Sequence, residues 1–308
     1  METKNLRTAI GTYGHTISLK DHMVHSPRFT MDHVEVSPVP MIFRRMVRDL
    51  EFDVAEMAFA TYIVSKYFEK PFTALPIFLT RSFYHRSVSC RAESSFESPK
   101  ELEGKRIGIR SYTFTPGVWT RGILKTEYGV DLDSITWVLS GDEHVVEFKA
   151  PSNVVSSPTA DLEKMLLSGE VDAVIGAGNL DHQRTRPLFS DHFELDATWF
   201  GKTMIYPISH VLVVKDSLLA CGDSLIQEIY RVFNNAKESY LQSLETKHPL
   251  TTDDLDVLRM RDIVSSDPLS YGLGGDRESI KVFIDFCIDQ KLLPRLMEPE
   301  ELFPLRIC

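Results

Sequence analysis

The feature that most constrains this chain is an alternation between two apolar periods. Short, nearly continuous apolar runs of strand length recur along it, and stretches with a helical repeat stand between them. Residues 6–11, 34–36, 52–59, 72–80, 105–110, 135–139, 171–177 and 205–214 read as strands. Helices are expected over 41–50, 116–128 and 160–167, then from near Asp223 and from near Asp276. In 41–50, Ile42, Phe43, Met46, Val47 and Leu50 share one face, with Arg44, Arg45, Arg48 and Asp49 opposite. The closing helix repeats Ile280, Phe283, Ile284, Cys287 and Ile288 at helical spacing. Strands and helices in alternation define an α/β chain with two similar βαβ-type halves. At about 150 residues per domain, 308 residues make two lobes.

Charge and composition narrow the function. A net charge of −10 argues against a nucleic-acid binder. No run of about 18 apolar residues exists, so no bilayer-spanning helix is expected. The first residues lack the apolar core of a secretory signal, and a cytoplasmic location is expected. Cysteines at 90, 221, 287 and 308 are scattered without C-x-x-C pairing and read as free thiols. Neither G-x-G-x-x-G, a P-loop nor G-x-S-x-G occurs, which disfavours nicotinamide, flavin, ATP and a serine nucleophile elbow. No cofactor is expected.

Two places carry chemistry on their own pattern. Thr115, Pro116 and Gly117 open a helix, with Thr115 at the cap and Pro116 at the first helical position. Free N–H groups and the dipole there suit an anion, and Ser111, Thr113 and Thr115 add hydroxyls. Glu56 interrupts the apolar run 52–59, so it needs a partner or a shifted pKa. It reads either as acceptor of a phenolic proton or as the salt-bridge partner of an arginine on the preceding helix.

Eight segments, in order, then resemble one family. They are residues 13–16 (YGHT), 43–57 (FRRMVRDLEFDVAEM), 76–86 (PIFLTRSFYHR), 102–124 (LEGKRIGIRSYTFTPGVWTRGIL), 127–138 (EYGVDLDSITWV), 162–175 (LEKMLLSGEVDAVI), 206–210 (YPISH) and 267–273 (DPLSYGL). Together they resemble the 4,5-dihydroxyphthalate decarboxylase family, built on the type II periplasmic solute-binding fold. The resemblance implies an α/β protein of two lobes, 1–87 with 212–308 and 88–211, with the ligand cleft between them. It implies cofactor-independent decarboxylation of 4,5-dihydroxyphthalate to 3,4-dihydroxybenzoate in phthalate catabolism. Some relatives carry aspartates beside the first-loop tyrosine; here Thr12 and Gly14 stand there, so no acid role is carried over.

In that setting His15, Glu56 and His210 are the expected catalytic residues, histidine being the proton shuttle near neutral pH. Arg81, His85, Arg86, Ser111, Thr113, Phe114, Thr115 and Arg121 are expected to bind a small aromatic dicarboxylate, the guanidinium groups as carboxylate forks. Phe83, Tyr84, Phe114 and Trp119 are expected to form an apolar wall. Three histidines and one glutamate make a conceivable metal set, but no H-x-H, H-E-x-x-H or cysteine cluster supports it, and His22 with His25 reads as a solvated pair. No metal is expected. Two other readings stay open: a solute-binding protein that captures an aromatic dicarboxylate for a transporter, and an enzyme acting on another carboxylated ring. A homo-oligomer is compatible with the sequence.

Overall fold

The structure, a computed structural model, describes residues 4–178, 180–220 and 222–303. Cys90 and Cys287 are buried free thiols; Cys221 and Cys308 lie outside the described residues. The chain divides into two compact units. One runs to Ser82 and resumes over Ile208–Glu278 and from Glu298 onward; the other comprises Phe83–Pro207 and Ser279–Met297.

The first unit holds a five-stranded sheet. Its strands are β1 (Lys4–Ala9), β2 (Phe29–His33), β3 (Val54–Ala58), β4 (Phe72–Arg81) and a return strand, Ile208–Lys215, in the order β2, β1, β3, return strand, β4. β1 runs parallel to β2 and β3, whereas the return strand is antiparallel to β3 and β4. Leu6, Leu75, Ile77, Leu212 and Val214 pack with Ile226, Ile229, Phe233 and Ala236 of the helix Asp223–Ser243 in one core cluster. Of the helices, α1 (Gly14–Lys20) follows the loop after β1, and α2 (Pro40–Asp49) buries Ile42, Phe43, Met46 and Val47 as its apolar stripe requires.

Two expectations change in this unit. The strand expected at 34–36 lies instead at Phe29–His33, where Phe29 and Met31 face inward and Thr30 and Asp32 outward. That period-2 alternation outweighs the two valines. The apolar run 52–59 ends its strand at Ala58, and α3 (Phe59–Tyr67) begins at once. A segment buried on every side carries no period, so strand and helix look alike in its sequence.

The second unit holds a six-stranded sheet with Val88–Arg91, Arg106–Ile109, Thr136–Leu139, Val154–Ser156, Ala173–Ile175 and Thr185–Pro187. The three strands over 106–109, 136–139 and 154–156 are parallel neighbours, as βαβ units require. Helix α4 (Thr115–Tyr128) follows the first of them; Phe114 takes the cap position and Thr115 is already helical, one residue earlier than the sequence pattern predicts. The segment 279–297, expected with the first lobe, lies in the second unit. Its Phe283 and Phe286 pack on Trp119, and a Cβ on Gly122 would stand 2.0 Å from the Phe286 ring. Trp119 is thereby core, not ligand wall. Phe83 likewise packs against Trp199, Phe200 and Tyr206.

Candidate active site

Strand register brings a buried carboxylate and a histidine together in the first unit. The return strand pairs Leu212 with Glu56 and His210 with Ala58, so His210 and Glu56 are diagonal neighbours on one face of the sheet. On the β4 side the register shifts on both sides of His210, an irregularity of the kind that re-aims a side chain. His210 Nδ1 lies 2.6 Å from Glu56 Oε1. The loop after β1 closes the other side: the Tyr13 hydroxyl donates to Glu56 Oε1 at 2.7 Å and the Gly11 N–H to Oε2 at 2.6 Å. Thr16 pins that loop, accepting from the Tyr13 N–H and donating to the Gly11 carbonyl.

Glu56 is fully buried, and burial by itself opposes its charge most strongly; hydrogen bonds from His210, the Gly11 amide and Tyr13 nonetheless hold its carboxyl below the ordinary carboxylate value. An ionised Glu56 makes Nδ1 of His210 the protonated nitrogen. Nε2 then points to the other edge of the ring, where it makes no hydrogen bond to the described residues, and the side chain keeps 20% of its surface exposed. Phe43 meets the ring edge-on at 4.9 Å. The salt-bridge reading of Glu56 is not what the structure contains: Arg45 of the preceding helix binds Glu51 instead.

Tyr13 was not among the expected site residues. Its only signal was its place in the segment 13–16, since nothing local shows that a tyrosine hydroxyl reaches a carboxylate 43 positions away. Burial raises its pKa strongly, with Glu56 adding to the effect.

His15 sits beside this group in another role. Its ring stacks on Tyr13 with centroids 5.5 Å apart, and burial pushes its pKa down to about 4. A neutral buried imidazole has a consequence for stability. The unfolded chain, with histidine near 6.5, binds a proton that the folded protein refuses until about pH 4. The His15 contribution is therefore fully present above pH 6.5 and lost as pH falls toward 4, at up to ~1.4 kcal/mol per pH unit. Denaturant unfolding between pH 7 and 5 is expected to show a shallower decline in His15→Gln than in the native protein; equal slopes would contradict it.

Arg81, expected as a carboxylate fork, is engaged by the chain itself. Both terminal nitrogens bind Asp276, one also binds Ser270, and its side chain is 1% exposed. The strand end did place a guanidinium for a bidentate carboxylate, but that carboxylate belongs to Asp276.

In the second unit the anion seat before α4 is likewise met by the chain. The Tyr112 and Thr113 amides donate to Glu143 at 2.5 and 3.2 Å, and the Thr113 hydroxyl also binds Glu143. Ser111, Thr113 and Thr115 are buried, and Ser111 Oγ has no hydrogen-bond partner among the described residues. Phe114 packs over Gly176, where a Cβ would stand 2.4 Å from its ring; φ there is +68°, so glycine serves both space and conformation. Arg121 does not face outward. It is buried behind the loop between the Tyr112 and Trp137 rings, bonded to Gln290 and the Tyr112 carbonyl. His85 is buried on Asp196, with Nδ1 at 2.6 Å from Oδ1. Arg86, next to it, is exposed with no bonded partner among the described residues. No group of three His, Cys, Asp or Glu side chains among the described residues is arranged to hold a metal, and no described helix is long and apolar enough to cross a membrane.

Comparison with known structures defines the class first. A periplasmic sulfonate-binding protein SsuA from Methylobacillus flagellatus superposes with a TM-score of 0.60 at 11% identity, covering 98% of this chain and 91% of that one. The fold is that of periplasmic binding proteins. No family model matches the sequence. Among curated proteins, the 4,5-dihydroxyphthalate decarboxylase of Comamonas testosteroni is 30% identical over 325 aligned positions, 98% of this chain and 97% of that protein. The enzyme of the same name from Pseudomonas putida is 34% identical over 189 positions, 57% of this chain and 71% of that protein. The chain belongs to the 4,5-dihydroxyphthalate decarboxylase family and is a carboxy-lyase.

Proposed function

We propose that the protein removes one carboxylate from 4,5-dihydroxyphthalate and yields 3,4-dihydroxybenzoate without a cofactor. The names of its relatives support the substrate, and one observation carries the chemistry: a histidine held by a buried carboxylate through Nδ1, with Nε2 left for proton transfer. Each carboxylate of this substrate has a hydroxyl para to it. When that hydroxyl gives up its proton, its electrons flow through the ring, and the carbon bearing the carboxylate accepts a proton. The C–CO2 bond then breaks, its electron pair returns to the ring, carbon dioxide leaves and the phenol is reprotonated. The ring itself is the electron sink, so no external one is required.

His210 is the proton-transfer residue in this scheme, and Glu56 and Tyr13 fix its ring. His15 supports Tyr13. The segment Ser111–Thr115 and Arg86 hold a carboxylate, while Arg81, His85 and Arg121 act through the residues they position. Incubation of the purified protein with 4,5-dihydroxyphthalate in chelator-treated buffer is expected to release one equivalent of carbon dioxide. Stoichiometric binding without release, in the presence or absence of added metal, would defeat the proposal and favour solute capture; release only on metal restoration would keep the reaction and remove the cofactor-free claim.

A further inference from the structure

Glu143 lies outside the segments that carry the family resemblance, yet its side chain accepts three donors from the loop before α4. Its two oxygens accept the Tyr112 amide at 2.5 Å, the Thr113 amide at 3.2 Å and the Thr113 hydroxyl. Three donors converging on one carboxylate describe an anion seat. Two further donors lie buried there without a hydrogen-bond partner among the described residues, Ser111 Oγ and Arg121 Nη1. A Cβ on Gly117 would stand 3.2 Å from Nη1, which places that nitrogen against the first turn of α4.

Behind the seat the Arg121 guanidinium meets, among the described residues, neutral acceptors and ring faces: Gln290 Oε1, the Tyr112 carbonyl, Tyr112 and Trp137. A fully buried cation without a contacting carboxylate is costly and draws negative charge toward it. One peptide plane transmits that pull, because the Tyr112 carbonyl accepts from Arg121 while the Thr113 N–H of the same plane donates to Glu143. Glu143 itself is only half-buried and rides on a segment without helix or strand between Leu139 and Val154, where Val146 is 66% exposed. Withdrawing the side chain breaks no sheet pairing.

We propose that Glu143 is an intramolecular competitor that occupies the carboxylate seat of the unliganded protein, is displaced when a carboxylate of the substrate binds, and so sets substrate affinity. The proposal rests on the reading of the protein as an aromatic dicarboxylate decarboxylase, and its test is kept separate from turnover. Phthalate, which has both carboxylates but no hydroxyl to start the reaction, is the probe. In calorimetric titration Glu143→Gln and Glu143→Ala are expected to bind phthalate roughly tenfold tighter than the native protein, the scale of one charge-assisted bond no longer to be displaced. In the native protein labelled with 13C at glutamate carboxyls, the Glu143 signal is expected to shift as phthalate saturates. Equal or weaker binding by folded variants, or a Glu143 signal unmoved at saturation, overturns the competitor role even if carbon dioxide release is normal. No phthalate binding by any form also overturns it. Carbon dioxide release from 4,5-dihydroxyphthalate judges the underlying reading independently.

Discussion

His210→Gln is expected to lower kcat by on the order of 10²-fold or more while KM changes little, because a positioned acid or base acts chiefly in the transition state. The geometry singles out this histidine: Glu56 holds Nδ1 at 2.6 Å, and Nε2 has no bonded partner among the described residues. Glu56→Gln should approach the same loss, since an amide in place of the carboxylate no longer dictates which ring nitrogen carries the proton. The two residues act as a unit. The double variant is therefore expected to be little worse than either single one, a non-additivity that steady-state kinetics reads directly. Independent, multiplying losses would mean that Glu56 has a separate task; near-native turnover in His210→Gln would mean that the proton travels elsewhere.

Arg81→Ala is expected to act mainly on stability. Removing the guanidinium leaves Asp276, nine-tenths buried, without its partner, and breaking a buried pair in this way costs about 3–5 kcal/mol. Arg81→Lys should recover only part of it, because an ammonium cannot make the two-pronged contact. Denaturant unfolding of the purified variants measures both. A variant with native stability and a raised KM would instead return Arg81 to direct substrate contact.

Much of the fold was legible because an α/β chain writes its alternation of periods into the sequence, and most strands lie where apolar runs placed them. Two of the exceptions have specific causes. α3 was hidden because Phe59 to Ser65 is buried on every side. The second strand was misplaced because two exposed polar residues, Thr30 and Asp32, alternate with the two that pack. At the site, Glu56 announced itself as a polar residue inside an apolar run. Its contacts did not: His210 was expected through the resemblance, but it is 154 positions away and only antiparallel register brings it to Glu56. The same holds for Arg81: the sequence shows a guanidinium at a strand end, but Asp276, 195 positions on, decides what that guanidinium holds. Glu143 carried no signal, because two of the three donors it satisfies are backbone amides and the third is a hydroxyl 30 positions away.

Decarboxylation in D2O, followed by proton NMR and mass spectrometry of the product, tests the central claim most directly. Transfer of one proton to the ring carbon that loses its carboxylate predicts 3,4-dihydroxybenzoate with a single deuterium at C6, beside the remaining carboxylate, and one equivalent of carbon dioxide. The rate should collapse in His210→Gln. Unchanged 4,5-dihydroxyphthalate after prolonged incubation with folded native protein, or a product without deuterium at C6, would contradict the account.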